Sequence, residues 1–342
     1  MQRAVLVGCG AMSKAWFEAA RAIGDIDIIG IVDLDPQKAE ARAREFGFDG
    51  AIISDDLPSV LAKAQPELLF DIVIPQARHA TVSVGLEAGC HVLSEKPMAE
   101  TLDEARDLVA RAGRAGRIHA VVQNRRYIPQ IRRISRLIRS GAIGEVTSLH
   151  CDFFLAPHFG GFREEMRHVL LLDMAIHTFD AARLFAGEAP SAVYAREWEP
   201  ANSWYRQGSS AAAIFEFSNG AVFTYRGSWC ADGLRTSWES AWRIVGTRGS
   251  LVWDGHDDIR AEAVTPTRSS DGLFSEVAAV GIPPLDNSDR TGGHLGVLED
   301  FIAAMRGGPI PETVGSENIK SLAMVFGAID SAEAGRRVEI TI

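Results

Sequence analysis

The chain has 342 residues, of which 46% are hydrophobic and 23% are charged. This mixture is typical of soluble globular proteins and excludes disordered, collagen-like and coiled-coil chains. At about 150 residues per domain, the length predicts two domains. The 35 basic and 45 acidic residues give a formal net charge of −10, which argues against a nucleic-acid partner and against binding to an anionic membrane surface.

The four cysteines are scattered and form no Cys-x-x-Cys pair. This spacing argues against a disulfide scaffold and a zinc site and fits a reducing compartment, so we expect no bound metal. No apolar run approaches the roughly 18 residues of a membrane-spanning helix. The first three residues lead directly into the apolar run Ala4–Val7, which leaves no room for a signal peptide. We therefore expect a cytoplasmic protein.

Short apolar runs alternate with helical segments over the first 123 residues, the pattern of βαβ units and a parallel sheet. The predicted strands are Ala4–Val7, Ile28–Val32, Leu68–Ile74, His91–Ser94 and Ile118–Val122. The predicted helices are Ser13–Ile23, Gln37–Phe46, Ala80–Ala88 and Leu102–Ala112. Thr101 and Glu104 have capping-box spacing at the start of the last helix, and we expect Gly113 to end it.

The pattern changes after Arg125, where helices and alternating segments predict a second α/β domain with an antiparallel sheet. The predicted helices are Pro129–Ser140, His168–Phe185, Leu295–Met305 and Glu317–Ala334. The predicted strands are Ala192–Trp198, Ala212–Phe217, Ala221–Ser228, Ala241–Val245, Ser250–Trp253 and Val338–Ile342. The stretch Ser269–Gly293 is predicted as a long exposed loop. The expected domains are 1–123 and 124–342.

The first predicted strand leads into Gly8-Cys9-Gly10-Ala11-Met12-Ser13, a G-x-G-x-x-S variant of the dinucleotide-binding turn. Gly8 permits the tight turn, and Gly10 lets the backbone approach a pyrophosphate bound at the following helix start. Asp33 ends the next strand, where a carboxylate accepts hydrogen bonds from the adenosine ribose and repels a 2′-phosphate. The sequence therefore predicts a Rossmann domain that prefers NAD to NADP. A glycine turn in another α/β protein is the alternative.

The predicted strand His91–Ser94 ends in Glu95-Lys96-Pro97. The carboxyl ends of strands in open α/β sheets border the ligand crevice, so this position favours a lysine that faces a ligand. A surface ion pair before a turn is the alternative interpretation.

The run from Asp71 to Pro75, His79 and the run from Glu87 to Pro97 resemble the signature of the glucose–fructose oxidoreductase/inositol dehydrogenase (Gfo/Idh/MocA) family. The resemblance implies an N-terminal Rossmann domain, with a doubly wound parallel sheet, and a C-terminal α/β domain. In that second domain an open-faced, mostly antiparallel sheet often forms the oligomer contact. We therefore expect a homodimer or homotetramer.

The resemblance also implies roles for individual residues. The residues expected to bind the dinucleotide are Gly8, Gly10, Ala11, Met12, Asp33, Ile74, Pro75, Glu95, Lys96 and Asn124. Lys96 matches the family's recurrent catalytic lysine, which lies with Glu95 near the nicotinamide. Gln76 stands where the family often has asparagine, which is a small departure.

Asp173, His177 and Asp180 are spaced i, i+4 and i+7 in an otherwise apolar predicted helix, so they are expected to share one face. Buried charges need partners, and a structural Asp–His pair or a two-ligand metal site would also explain them. The family places an Asp-x-x-x-His pair in its second domain, facing the nicotinamide, and Asp173 and His177 match that pair.

The segment around this pair departs from the family pattern. The family usually has glycines where this chain has His168 and Val169, and another glycine at Ala175. This departure leaves the substrate open. Arg163, Glu164 and His168, just upstream, are candidate substrate contacts, with a solvated loop as the alternative.

These features together predict an NAD-dependent dehydrogenase that acts on a secondary hydroxyl of a sugar, polyol or cyclitol. His177 is the expected general base, because the unperturbed pKa of histidine is near neutral. Lys96 would stabilise the developing alkoxide, and Asp173 would orient His177 or a substrate hydroxyl. The alternatives are a redox glycosidase without net redox change and a non-catalytic regulatory protein that binds a dinucleotide.

Overall fold

The structure is a computed structural model that describes residues 1–265, 272–286 and 288–342. The strands are β1 (Gln2–Val7), β2 (Ile26–Val32), β3 (Ile52–Ser54), β4 (Leu68–Asp71), β5 (His91–Ser94), β6 (His119–Val121), β7 (Val146–Phe154), β8 (Pro190–Trp198), β9 (Ser210–Phe217), β10 (Val222–Ser228), β11 (Ala241–Gly246), β12 (Gly249–Trp253), β13 (Ile259–Val264), β14 (Val277–Val280) and β15 (Val338–Glu339).

The α-helices are α1 (Ser13–Ile23), α2 (Pro36–Phe46), α3 (Leu57–Ala64), α4 (Pro75–Glu87), α5 (Leu102–Ala115), α6 (Pro129–Arg139), α7 (Phe162–Glu165), α8 (Ile176–Ala186), α9 (His294–Met305) and α10 (Gly315–Ala334). A 3₁₀ turn covers Asn124–Tyr127, and a π-helical turn covers Leu170–Ala175. The chain divides into two compact units. The first combines 1–127, 290–322 and Ile342, and the second combines 128–289 and 323–341.

The first unit contains a six-stranded sheet in the order β3-β2-β1-β4-β5-β6, and all of its strand pairs are parallel. This is the doubly wound order of dinucleotide-binding folds, so the predicted Rossmann sheet is confirmed. Its central strands are buried because helices cover both faces of a parallel sheet. The strand order reverses between β1 and β4, and ligands of such sheets bind at the carboxyl ends next to this reversal.

The ends of α4 and α5 agree only in part with the ends predicted from local sequence signals. Thr101 caps α5 by accepting the N–H of Glu104, as predicted. The helix continues past Gly113 and ends at Gly116, which has a φ of 61°. α4 begins at Pro75, five residues before its predicted start, because proline suits the first turn of a helix. The short elements β3 and α3 were not predicted.

Residues 290–322 pack in the first unit, whereas the sequence-based division assigned them to the second domain. The reason is the apolar face of α9, whose buried Phe301 joins the same core cluster as Trp16 of α1. The Tyr127 hydroxyl also donates a 2.8 Å hydrogen bond to Asp300. The core of the first unit is therefore completed by a segment from the C-terminal part of the chain.

The second unit contains a nine-stranded sheet in the order β14-β13-β12-β11-β7-β10-β9-β8-β15. β7 and β10 pair in parallel and the other pairs are antiparallel, so the predicted mostly antiparallel sheet is confirmed. β7, β13 and β14 were not predicted. β14 lies within the stretch Ser269–Gly293, which was expected to be a loop, and it forms because β13 supplies its pairing partner. Residues 269–271 and 287 of that stretch lie outside the described residues.

The two faces of this sheet have different surroundings. On one face α8 packs through Phe179, whose ring lies 4.7 Å from that of Phe215 and 5.2 Å from that of Tyr225. On the other face a row of partly exposed side chains crosses five strands in register. This row consists of Tyr194, Ile214, Thr224, His150 and Arg243.

No helix in the described part of the chain is long and apolar enough to cross a membrane.

Candidate functional site

The turn between β1 and α1 leaves room for an anionic ligand. Gly8 has a φ of +96°, and a Cβ there would lie 2.7 Å from the carbonyl carbon and oxygen of Ile72, so glycine is required. A Cβ on Gly10 would meet nothing within 4 Å. Gly10, Ala11 and Met12 are exposed. The start of α1 therefore offers open backbone of the kind that binds a phosphate group.

Asp33 is fixed at the end of β2 by two backbone donors. Its Oδ2 accepts the N–H of Cys9 at 2.7 Å, and its Oδ1 accepts the N–H of Asp35 at 2.9 Å. A carboxylate has about four acceptor positions, so both oxygens retain capacity for ribose hydroxyls. Arg42, which the sequence did not single out, lies 3.4 Å from the Gly10 carbonyl and forms an ion pair with Glu45.

Two further features fit a dinucleotide. Ile74 precedes α4 and is 66% exposed, so an apolar side chain is available to cover an aromatic ring. The Asn124 Oδ1 atom is buried and has no hydrogen-bond partner among the described residues. Buried acceptors are almost always paired, so this one is suited to a ligand N–H or O–H. The open backbone of the glycine turn, the carboxylate of Asp33 and the buried amide oxygen of Asn124 are thus suited to bind NAD.

The buried carboxylate of Glu95 has three protein partners. Its Oε1 accepts the indole N–H of Trp16 at 2.9 Å and lies 3.2 Å from Nε2 of His294, while its Oε2 accepts the N–H of Lys96 at 3.1 Å. Burial raises the pKa of Glu95, but the hydrogen bonds from His294 and Trp16 outweigh it, so the pKa lies below its ordinary value. Glu95 is therefore an ionised anchor that fixes the backbone at Lys96.

His294 is a site residue that no sequence signal identified. It lies 199 positions from Glu95 in the chain and at the first residue of α9. Lys96 itself lies two residues after the end of β5 and is partly exposed, and its peptide bond to Pro97 is cis. The first unit thus presents a lysine side chain at the carboxyl edge of its sheet, next to the buried anchor.

In the second unit the Asp-x-x-x-His pair spans a change in helix type. Asp173 lies in the π-helical turn, and His177 lies in the first turn of α8. Both side chains are partly exposed, whereas Asp180 is buried and lies 3.8 Å from Arg183. The predicted polar stripe is therefore split, with Asp180 paired inside the unit. π-helical turns occur frequently at functional sites.

Arg163 is the charged partner of Asp173. Its Nε donates to Asp173 Oδ2 at 2.7 Å. The guanidinium carbon lies 5.1 Å from the ring centre of Phe159 and 4.8 Å from that of Phe162. Phe162 is largely exposed and Phe159 and Trp238 are partly exposed, and the ring centres of Phe159 and Trp238 lie 6.2 Å apart. Asp173 is thus bordered by a cation and by exposed aromatic faces.

His168 has a different environment from the one the sequence suggested. Its backbone has a φ of 52°, and its side chain is 9% exposed. Nδ1 lies 2.5 Å from Glu197 and Nε2 lies 3.3 Å from Glu333. Because both ring nitrogens face carboxylates, the His168 side chain supports the segment before Asp173, and its role as a substrate contact stays a prediction. Glu164, in α7, accepts the N–H of Gly160, just before that helix.

Within residues 1–265, 272–286 and 288–342, no group of three or more His, Cys, Asp and Glu side chains is arranged to hold a metal ion. The four cysteines are buried and form no disulfide.

Comparisons with known proteins match both parts of the chain. A family model described as an oxidoreductase family with an NAD-binding Rossmann fold matches residues 2–123, and a model of the GFO/IDH/MocA C-terminal domain matches residues 131–252. The D-apiose dehydrogenase of Paraburkholderia graminis is 26% identical, over 99% of this chain and 89% of that protein. The D-glucoside 3-dehydrogenase of Escherichia coli is 24% identical, over 99% of this chain and 97% of that protein.

Among solved structures, an oxidoreductase from Agrobacterium radiobacter in complex with NAD+, L-tartaric acid and magnesium has a TM-score of 0.86. It is 22% identical and covers 99% of this chain and 98% of its own. At this level of identity the likeness shows a shared fold.

The contacts of His168 predict a pH dependence of stability. The hydrogen bond with Glu197 outweighs burial and raises the pKa of His168 above 6.5. The stabilisation is therefore complete below pH 6.5 and is lost as the pH rises through the folded-state pKa. We expect the difference in unfolding free energy between wild type and His168→Gln to shrink from about pH 6 to about pH 9 in urea titrations.

The matched control is His256→Gln, because His256 is exposed. Its effect on the unfolding free energy should be small and nearly constant over the same pH range. A His168→Gln deficit that grows with pH would contradict the assigned ion pair.

Proposed function

Because the chain belongs to the Gfo/Idh/MocA oxidoreductase family and has an NAD-binding Rossmann domain, we propose that it is an NAD-dependent dehydrogenase of a sugar, polyol or cyclitol. One observation carries this proposal. Besides the dinucleotide turn, the chain presents three partly exposed groups suited to proton transfer and charge stabilisation, Lys96, Asp173 and His177. A regulatory protein that only bound a dinucleotide would need none of them.

The cofactor-binding roles follow from the contacts in the first unit. The backbone at Gly10, Ala11 and Met12 would bind the pyrophosphate, and Asp33 would accept the ribose hydroxyls. Ile74 and Pro75 would flank the dinucleotide, and Asn124 would offer its unpaired Oδ1. When bound, NAD supplies the acceptor for the hydride that leaves the substrate carbon.

The remaining chemistry belongs to side chains of this protein. The hydroxyl proton of the substrate must leave as the carbonyl forms, and His177 is the proposed general base. Negative charge develops on the same oxygen, and the Lys96 ammonium is the proposed stabilising cation. Glu95 serves Lys96 indirectly, because its carboxylate accepts the backbone N–H of that residue at 3.1 Å.

The surroundings of Asp173 support a polyhydroxy substrate. Asp173 supplies hydrogen-bond acceptors and Arg163 supplies donors, 2.7 Å apart, and together they can bind neighbouring hydroxyl groups. The exposed faces of Phe159, Phe162 and Trp238 suit the apolar C–H face of a sugar ring. The names of the two relatives, D-apiose dehydrogenase and D-glucoside 3-dehydrogenase, point to the same substrate class.

The direct test is a panel of sugars, sugar acids and inositols with NAD, followed by the absorbance of the reduced cofactor. We expect stoichiometric NADH formation with at least one neutral sugar or polyol. Glycoside cleavage without NADH accumulation would favour a redox glycosidase. NAD binding without any turnover across the panel would overturn the enzymatic proposal.

Substitution of Lys96 and His177 separates catalytic from structural roles. Lys96→Met should lower kcat by on the order of 10²–10³, the effect of losing one electrostatic group. His177→Ala should lower kcat by on the order of 10²–10⁴ and remove the near-neutral limb of the pH–rate profile. Both enzymes should retain NAD affinity, measured by fluorescence titration. Folded Lys96→Met enzyme with near-normal turnover would refute the assignment of Lys96 as the cation that stabilises the developing negative charge.

Asp33 makes cofactor preference testable by melting temperature. A ligand that binds only the folded state stabilises it, so NAD should raise the melting temperature more than NADP at equal concentration. Asp33→Ser should narrow this difference, because the repulsion of the 2′-phosphate is removed. Glu40→Ser, an exposed change on α2, is the matched control and should leave the difference unchanged. A wild-type protein that prefers NADP would refute the assignment.

The partly exposed face of the second-unit sheet is the proposed surface for a homodimer or homotetramer. It contains a groove of about 640 Å³ whose lining includes His150, Asp152, Thr224, Arg226 and Arg243. The large side chains of Ile214 and Tyr194 are exposed on the same face, and contact with a second copy of the chain would remove their apolar surface from water. Light scattering should therefore show an oligomer, and Ile214→Asp should dissociate it. Leu234→Asp, fully exposed outside the sheet, is the control. A wild-type protein that is monomeric at micromolar concentration would refute the proposal that this face forms an oligomer interface.

A further inference from the structure

A buried ion pair lies directly behind the Lys96 turn in the first unit. Asp71, the last residue of β4, and Arg78, in α4, have side chains that are 0% and 1% exposed, and Arg78 Nε lies 3.0 Å from Asp71 Oδ2. A fully buried pair of charges brings no assured gain in stability over apolar residues. Its presence at the carboxyl edge of the sheet therefore calls for a more specific explanation.

The other donors of Arg78 provide that explanation. Its Nη1 donates to the carbonyl oxygen of Pro97 at 2.5 Å, and its Nη2 donates to the carbonyl oxygen of Val73. Asp71 in turn accepts the N–H of Val73 at 3.2 Å through its side chain, and its carbonyl accepts the N–H of Glu95 at 2.8 Å. One guanidinium group thus joins the chain after β4 to the chain after β5.

Both joined segments carry residues of the proposed site. Val73 directly precedes Ile74 and Pro75, which would flank the dinucleotide. Pro97 directly follows Lys96, so the backbone of Lys96 is held on its N-terminal side by Glu95 and on its C-terminal side by Arg78. A planar guanidinium with several fixed donors suits this task, whereas a lysine could not hold three acceptors in one plane.

We infer that Arg78 is a positioning residue for Lys96, which acts by holding the carbonyl oxygens of Val73 and Pro97 while Asp71 fixes its guanidinium. This inference rests on the proposed function, because it concerns the direction of the Lys96 side chain at the reacting oxygen. Catalysis is sensitive to such placement, since a displacement of about 1 Å can cost on the order of 10²-fold in rate.

The main variant removes both charges together. Loss of Arg78 alone would leave the buried Asp71 carboxylate without its cationic partner and could unfold the protein. The double variant Asp71→Leu/Arg78→Leu avoids this and still removes the contacts to Val73 and Pro97. We expect kcat to fall by about 10- to 100-fold. NAD affinity should fall by less than kcat does, because the glycine turn and Asp33 are untouched and only the segment before Ile74 and Pro75 is released.

A double-mutant cycle shows whether the effect acts through Lys96. In a Lys96→Met background the Asp71→Leu/Arg78→Leu change should lower kcat by no more than about twofold, because the group it positions is already absent. Additive losses would overturn the inference. Arg78→Lys, which keeps the charge with fewer fixed donors, should retain a kcat between those of wild type and the double variant.

Leu86→Ala is the control for lost stability. Leu86 is buried on the same helix, near its opposite end. This variant should lower the melting temperature and leave kcat per folded molecule unchanged. If Leu86→Ala and Asp71→Leu/Arg78→Leu lose turnover equally at equal loss of stability, Arg78 has only a structural role.

A measurement without turnover separates this inference from the proposed function. The chain has five lysines, Lys14, Lys38, Lys63, Lys96 and Lys320, and acylation of each with acetic anhydride can be followed by mass spectrometry. In Asp71→Leu/Arg78→Leu the labelling rate of Lys96 should change by at least about threefold, because the acylation rate of a lysine amine depends on its exposure and on nearby charge. The other four should stay within about twofold. Unchanged Lys96 labelling would refute the positioning role even if no sugar is oxidised.

Discussion

The first unit depends on the buried carboxylate of Glu95. A carboxylate shielded from water must be surrounded by donors, because an uncompensated buried charge is among the costliest features a fold can contain. Glu95 obtains these donors from Trp16 of α1, His294 of α9 and the backbone of Lys96. Its requirement for hydrogen bonds therefore draws together the helix after the dinucleotide turn, a distant C-terminal helix and the proposed catalytic lysine.

The same physical rule explains the second buried charge at this edge. Burial raises the pKa of Asp71 to about 6, against the opposing influence of the Arg78 charge. The pair is satisfied only because Arg78 also finds two carbonyl oxygens and Asp71 finds the N–H of Val73. Two buried carboxylates, each fully partnered, thus fix the backbone on both sides of Lys96. Rigid support of this kind is what a group that stabilises developing charge requires.

The second unit is organised by the packing of side chains on the two faces of its sheet. One sheet face is covered by α8, and the other presents polar and apolar side chains in register. The π-helical turn at Leu170–Ala175 precedes α8 and separates the environment of Asp173 from that of Asp180. His168, held by Glu197 and Glu333, stabilises the start of this turn with a backbone conformation that glycine adopts more easily.

Local pattern determined much of this protein. The family resemblance supplied the role of Lys96. The alternation of apolar runs and helical segments predicted the Rossmann sheet, and the turn from Gly8 to Ser13 and the carboxylate of Asp33 were recognisable from the residues and their spacing. Such features are local, because a strand, a turn and the residue that follows them are neighbours in the chain.

Only the tertiary structure decided how the buried charges are paired. Glu95 and His294 are 199 positions apart, and no spacing rule links them. The role of Arg78 depends on Pro97 lying beside it, the assignment of 290–322 to the first unit depends on the packing of α9 against α1, and the partners of His168 come from β8 and α10. Burial makes hydrogen bonds obligatory, but which groups satisfy them is set by the packing of distant segments.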